Sequence, residues 1–531
     1  MSEKQIAGLA VVFGTLIVAS RLPLAPGQLL SFDDVNFAYA IGEFDPRLSQ
    51  PQPPGYPLFV LESRVLYWLR FRRPESNLLA LALLASAAAL VLLAWFGNRM
   101  LESDAGMWAA WLLLFHHAFW YAGLTSAVRP HLAVVSLAVA AACWPAWRGE
   151  KRGLYWGALA LGIGAGIRPE LGPLLLPLWA ASALRARVQW SERLRALGLL
   201  AAVVAAWLAP TVIASGGPQT YARICSEYLT DQAVLTSGLF GAEATRWQET
   251  ATWLVVWTLS SVLACLPAAL AAWSPRGGLG MGWDRAAFLW LWFLPSFVFA
   301  LVVHIADAGQ GLAMVPVVCL VCGHWISRAA GRLEGWIARP HGAVLLLVPA
   351  LFLNALIFFR PGWYYKGLAG SALGQIWSDV HSGMTFSSLA QIRGIAWVDD
   401  LALRELRRLK AEWSGPLVVV FERGRTSSRK TAYYFQDVPV LVLSPKTIQQ
   451  TATLAARTMR GSRTEKLVQG PAPLAVDLPR AARVVWLTDT KTDFFAALKE
   501  SLPLGDADPL YYTDLPPEGG ARRVGNWVFR W

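Results

Sequence analysis

Two adjacent carboxylates, Asp33 and Asp34, open the polar stretch SFDDVNFAYAIGEFDPRLSQPQPPGYPL of residues 31–58, just past an apolar run. A carboxylate at a water–lipid boundary stays ionised yet reaches a substrate held in the membrane. The competing account is structural, since Asp is a favoured N-cap and the pair would then open a short helix at Val35. Arg168 is the second group with chemical potential. It lies between two short apolar segments, beside Glu170, where an ionisable side chain is costly unless it is paired or functional. A third polar corner combines His304, Asp307 and Gln310.

The elements that must carry these residues follow from composition. Of 531 residues, 55% are hydrophobic and 15% charged, with 27 Trp and a mean hydropathy of +0.41. Such a chain cannot cover a water-exposed surface with polar groups, so a string of three or four soluble domains is excluded. The charges are uneven: residues 1–360 hold 25 Lys/Arg and 19 Asp/Glu, whereas the much shorter 361–531 holds 22 and 16. A membrane domain over 1–360, with a first outer loop at 25–77, is therefore expected to precede a soluble domain over 361–531. Half of the net charge of +12 sits among apolar spans, where orientation in the bilayer accounts for it without nucleic acid.

A crossing helix needs about 20 apolar residues because the hydrocarbon core is about 30 Å thick. That rule places eleven spans, near 5–24, 78–97, 106–122, 130–147, 153–167, 169–184, 196–213, 251–273, 286–303, 308–327 and 342–359. The fifth and sixth meet at Arg168-Pro169 as a broken or re-entrant pair. With the N-terminus inside, cytoplasmic short loops collect fourteen Lys/Arg and the opposite short loops four, Arg129, Arg168, Arg223 and Arg246. The C-terminal domain then lies outside. Arg64, Arg70, Arg72 and Arg73 run against this bias. A crossing at 56–69 would bring them inside, but it is only about 14 residues long and carries Glu62 and Arg64, so an interfacial amphipathic helix is the better fit. The rival for residues 5–24 is a cleaved signal peptide, and the span is preferred because the polar stretch after it needs an anchor.

In the soluble part, Asp399-Asp400 should cap a helix carrying Leu403, Leu406, Leu409 and Trp413. Leu417–Phe421, Val438–Leu443 and Arg483–Leu487 read as strands, with helical stretches near 446–458 and 491–501. Strands alternating with helices imply a small α/β domain with a parallel sheet.

The motifs in residues 5–360 resemble the GT-C glycosyltransferase superfamily, in particular protein O-mannosyltransferases and lipid A aminoarabinose transferases. Asp33-Asp34 match the acidic pair of the first outer loop, Phe37–Ala40 the aromatic and small residues after it, and Pro53-Pro54-Gly55-Tyr56-Pro57 the proline motif. Arg129-Pro130, the run GALALGIGAGIRPELGPLLLPL of 157–178 and HIADAGQGLAMVP of 304–316 follow in family order, with a tail at TAYYFQDVPVLVL. Two positions depart from the pattern. Gln52 stands where many relatives carry His, and Ala127 where an acid is often seen.

The resemblance implies a polytopic enzyme of the plasma (inner) membrane, with a periplasmic or extracellular C-terminal domain. It would transfer a sugar, with inversion, from a polyprenyl-phosphate donor to a lipid, glycan or protein hydroxyl. Asp33 or Asp34 would be the catalytic base. Arg129, Arg168 and His304 are the candidate cations for the phosphate, Arg being suited by its forked donors, with Gln310 and Tyr56 as further substrate-binding residues. No cofactor is assigned, and a divalent metal held by Asp33, Asp34 and His304 stays an open option. Membrane lipids are expected partners and nucleic acid is not. The alternative class is a transporter or flippase, which commonly shows inverted repeats and mid-membrane charge pairs; no repeat is found and the polar residues gather on one face. A scaffold whose outer domain binds a partner is the third reading.

Three features look functional and read better as structure. Gly162-x-Gly164-x-Gly166 lies inside a span, where small residues let helices approach. Cys319-x-x-Cys322 has no second pair and sits in an apolar run. The basic run Arg423–Lys430 lacks phosphate-loop spacing and reads as a solvated loop.

Overall fold

The computed structural model describes residues 2–237, 247–274, 280–361, 371–422, 427–448, 451–507 and 510–531. The chain forms two compact units, Met1–Gly27 with Ala40–Ile392, and Gln28–Tyr39 with Arg393–Trp531.

The first unit is helical, and a helix lies at each of the eleven apolar runs. By length and composition six described helices suffice to cross a membrane: Glu3–Leu24, Pro74–Leu101, Arg129–Trp147, Trp190–Ala214, Trp283–Val302 and Arg339–Phe359. A seventh is the pair Trp247–Ala264 and Leu266–Ala272, bent by 51° at Cys265, if it counts as one span. Ala105–Phe115 and Leu171–Arg185 are shorter apolar helices. The run at 106–122 is two helices, Ala105–Phe115 and His117–Thr125, broken at His116. Buried polar partners fix the break: His117 Nδ1 lies 2.7 Å from Ser387 Oγ, and its Nε2 3.2 Å from both Ser260 Oγ and the Val256 carbonyl. Similarly, the run at 308–327 begins as a 3-10 turn, Ala308–Ala313, before the helix Val315–Leu333. The segment at 56–69 is the helix Pro57–Trp68; at about 1.5 Å per residue it is too short to span.

The glycine run is a packing device. A β-carbon at Gly162 would meet Val203 at 2.7 Å, one at Gly164 Val135 at 2.4 Å, and one at Gly166 Leu58 at 2.6 Å. Cys319 and Cys322 are buried in the Val315–Leu333 helix, and all five cysteines are free.

In the second unit, the strands are β1 (Leu417–Phe421), β2 (Val440–Ile448), β3 (Thr451–Arg460), β4 (Arg463–Gly470), β5 (Leu474–Asp477), β6 (Arg483–Leu487), β7 (Gly505–Ala507), β8 (Leu510–Asp514), β9 (Ala521–Val524) and β10 (Trp527–Arg530). Among the described residues, seven of them form a sheet in the order β4-β3-β2-β1-β6-β8-β7, and β5-β10-β9 form a smaller one. Alternation builds a two-sided core. Val418, Val420, Val484 and Trp486 face Phe494, Leu498 and Phe529, whereas Val419, Val440 and Val485 face Leu403, Leu406, Leu409 and Phe435.

Four expectations are corrected here. The sheet is mixed, since only β2-β1-β6 is parallel and the other neighbours run antiparallel. The described parts of the stretch, 446–448 and 451–458, belong to β2 and β3, paired from Val440↔Met459 to Ile448↔Thr451; their four Thr favour a pleated surface. Asp399 and Asp400 lie in the middle of the helix Leu389–Ala411 rather than at its cap, and Trp413 falls beyond its end. The basic run is not a solvated loop where it is described: residues 423–426 lie outside the described residues, but Arg429 and Lys430 are buried on the helix Ser428–Tyr434.

Candidate functional site

In the first unit, helix ends carry the cations to one place. Arg129 is the first residue of the helix Arg129–Trp147, and its Nη2 donates to Asp307 Oδ2 at 2.7 Å, with the Arg129 side chain only 8% exposed. The other Asp307 oxygen caps the 3-10 turn by accepting the Gly309 N–H at 2.8 Å. Gly309 must be glycine for this geometry, because a β-carbon would meet Arg129 Cγ at 2.9 Å and Asp307 Oδ1 at 3.0 Å.

Arg168 ends the helix Lys151–Ile167 and is buried, ion-paired through Nη2 with Glu170. Its guanidinium lies 5.4 Å from the Tyr56 ring centroid. Nε and Nη1 of Arg168 are buried without a hydrogen-bond partner among the described residues. Such unmet donors cost about 1–3 kcal/mol each, more when charged, so the site is built for an acceptor. Tyr56 is set in place by the proline motif: it takes left-handed backbone angles, φ 46°, before Pro57 starts the next helix, and the Tyr221 hydroxyl donates to the Pro54 carbonyl at 3.0 Å. Left-handed backbone at a non-glycine residue is strain of the kind that gathers at functional sites.

His304 sits among these groups. The Gln310 Oε1 accepts the Ala306 N–H, which turns Gln310 Nε2 toward His304 Nε2 at 2.7 Å and makes that ring nitrogen an acceptor. Burial, then the positive field of Arg129, pushes its pKa down from 6.5 to about 4, with Asp307 and Glu170 opposing and Arg168 reinforcing. His304 is thus a neutral ring at pH 7 rather than the cation expected from sequence. The unfolded chain takes up this proton near pH 6.5 and the folded chain only near pH 4. Stability from this group is therefore complete above about pH 6.5 and is lost as pH falls toward 4, by roughly 3 kcal/mol in all. Thermal unfolding in detergent between pH 7 and 4 should show the decline, and His304→Gln should flatten it; identical slopes would exclude His304 as the source.

One pair escaped the sequence reading. His131 Nε2 lies 3.1 Å from Glu62 Oε2, so the helix start that presents Arg129 to Asp307 also ties the Pro57–Trp68 helix through His131. The signal available was His131 two residues after Arg129.

In the second unit, the helix Phe32–Gly42 begins three residues before Val35, with Asp33 and Asp34 both in its first turn. The capping hydroxyl belongs to Ser31, whose Oγ accepts the Asp34 N–H at 2.9 Å. Neither Asp is the N-cap. Asp33 is half-buried and Asp34 is buried, and the positive end of the helix favours both charges. Asp33 and Asp34 belong to the second unit and His304 to the first. Among the described residues no group of three or more His, Cys, Asp or Glu is placed to hold a metal ion.

No family model matches the sequence, and no curated protein matches it. By structure the chain is similar to ArnT from Cupriavidus metallidurans. The crystal structure bound to undecaprenyl phosphate matches with TM-score 0.54 and 13% identity over 96% of this chain and 97% of that one. The apo structure matches with TM-score 0.55 and 13% identity over 96% and 98%. The mycobacterial arabinofuranosyltransferase AftD aligns at TM-score 0.43 and 15% identity, over 79% of this chain and 29% of that one. The near-complete coverage extends the likeness beyond the apolar helices to the β-rich C-terminal part, and the chain therefore has the fold of ArnT.

Proposed function

We propose that the protein is a multi-pass glycosyltransferase of the plasma membrane that moves a sugar from a polyprenyl-phosphate donor to an acceptor hydroxyl on the outer face, with inversion. The observation that carries this reading is Arg168. A buried guanidinium with two unmet donors beside an aromatic ring suits a phosphate oxygen, in a chain with the fold of a protein solved with undecaprenyl phosphate bound.

The reaction has simple charge arithmetic. The acceptor O–H gives its proton to the Asp33 carboxylate, with Asp34 the second candidate, as its oxygen forms the new bond to the anomeric carbon. The anomeric C–O bond to phosphate breaks, and the lipid phosphate leaves with one more negative charge than the donor carried. Positioned cations stabilise that developing charge, and no protein acid is needed at the leaving group. Arg168 is assigned this role, with Arg129 beside it tempered by Asp307. His304, neutral and accepting at Nε2, lies within the field of both arginines, while Gln310 holds the ring and Tyr56 flanks the guanidinium.

Purified protein in liposomes, given radiolabelled polyprenyl-phosphate sugars and a cell-envelope extract, should release free polyprenyl phosphate and label an acceptor. Movement of labelled lipid between leaflets without cleavage of the sugar–phosphate bond would favour a flippase instead.

A further inference from the structure

Residues 28–39, the segment bearing Asp33 and Asp34, belong to the same compact unit as residues 393–531. The contacts are specific. The Gln28 side chain donates to the Ala396 carbonyl at 3.0 Å, the Leu29 N–H donates to the Tyr434 hydroxyl at 3.1 Å, and Lys430 Nζ donates to the Leu30 carbonyl at 3.1 Å. Beyond the acidic pair, Arg429 Nε donates to Asn36 Oδ1 at 3.0 Å, and its guanidinium lies 4.6 Å from the Tyr39 ring, against which Tyr433 packs edge-on at 5.1 Å. One short helix, Ser428–Tyr434, thus grips the segment on both sides of Asp33 and Asp34.

At the centre of the grip is Lys430, ion-paired with Asp399, the two side chains 3% and 2% exposed. A buried ion pair is a poor way to gain stability, because desolvation offsets its attraction, and apolar residues of the same size often serve as well. What such a pair supplies here is direction: Lys430, oriented by Asp399, aims one donor at the Leu30 carbonyl immediately before the helix that carries the acids.

We infer that Lys430, Asp399 and Arg429 are positioning residues, and that the C-terminal unit orders residues 29–39 so that the acidic pair is held for proton transfer. The inference rests on the glycosyl-transfer reading, and its test separates the two. The double variant Lys430→Met/Asp399→Leu removes both charges at similar volume in the full-length protein. Hydrogen exchange over residues 29–39 should then quicken at least tenfold while the thermal midpoint stays within a few degrees. Turnover should fall about 10- to 100-fold with the KM for the lipid donor within twofold of parent, a split that general destabilisation does not give. Should the double variant not fold, Tyr434→Phe removes only the hydroxyl that accepts the Leu29 N–H and should raise exchange at residues 29–31 with a smaller loss of turnover. Unchanged exchange, or faster exchange with parental turnover, overturns the inference. If the parent transfers no sugar from any polyprenyl phosphate, the functional reading falls, and exchange alone still decides the clamp.

Discussion

Asp33→Asn should lower the rate of sugar transfer by about 10²- to 10⁴-fold, the range of a general base, without unfolding the protein. Asn keeps the size and the hydrogen-bond acceptor of Asp, and the first turn of the Phe32–Gly42 helix gives up a favourable charge at its positive end, on the order of 0.5 kcal/mol. Asp33 is preferred over Asp34 on two grounds. It matches the leading acid of the resembling motif, and it is half-buried where Asp34 is only 6% exposed. Asp34→Asn should therefore act more weakly, or on binding. Single-turnover rates across pH provide the sharper measurement, since the parent should lose activity as the base is protonated at low pH and Asp33→Asn should lose that limb. Transfer at the parental rate in both variants would remove the pair from the chemistry and favour the transporter reading.

Arg168→Ala should weaken donor binding on the order of 10²-fold, the cost of removing one partner of a buried charge-assisted contact. The argument is geometric. Nη2 is committed to Glu170, while Nε and Nη1, on opposite sides of the guanidinium, are buried with no protein acceptor among the described residues, so each leaves a single donor that suits a phosphate oxygen. Arg168→Lys restores the charge but not the separate Nε and Nη1 donors and the planar group that carries them, and should recover only part of the affinity. Titration with a polyprenyl phosphate, alongside thermal unfolding, reads this directly. Parental affinity in a folded Ala variant would leave Arg168 as a structural partner of Glu170 and Tyr56.

Where the apolar runs lie was legible, because bilayer thickness imposes a length that composition alone reveals. Where they break was not. His116 interrupts a helix because Ser260 and Ser387, far along the chain, offer His117 its partners, and no local pattern encodes such a neighbour. The same distance rule divides the site. Arg168 and Glu170 are near in sequence and were readable as a pair, whereas Arg129 meets Asp307 across 178 residues. In the C-terminal part, β1 and β6 match their expected ranges residue for residue, since short buried runs of Val and Leu permit little else. The helix expected over 446–458 failed because residues 446–448 and 451–458 are set by the pairing of β2 with β3, a register that only the folded chain displays.

The order of synthesis gives the grip on residues 28–39 a further meaning. Asn36 is made 393 residues before Arg429, so the acidic segment leaves the ribosome long before any of its partners exist. Closing so large a loop adds little to the equilibrium cost, which grows only logarithmically, but it delays completion of this part until nearly the whole chain is made. Nascent chains interrupted before residue 428 would therefore hold Asp33 and Asp34 without the helix that fixes them. A C-terminal fragment starting at residue 393 would likewise lack an integral piece of its own fold, and supplying residues 28–39 in trans or through a linker should be what renders it soluble and cooperative in unfolding.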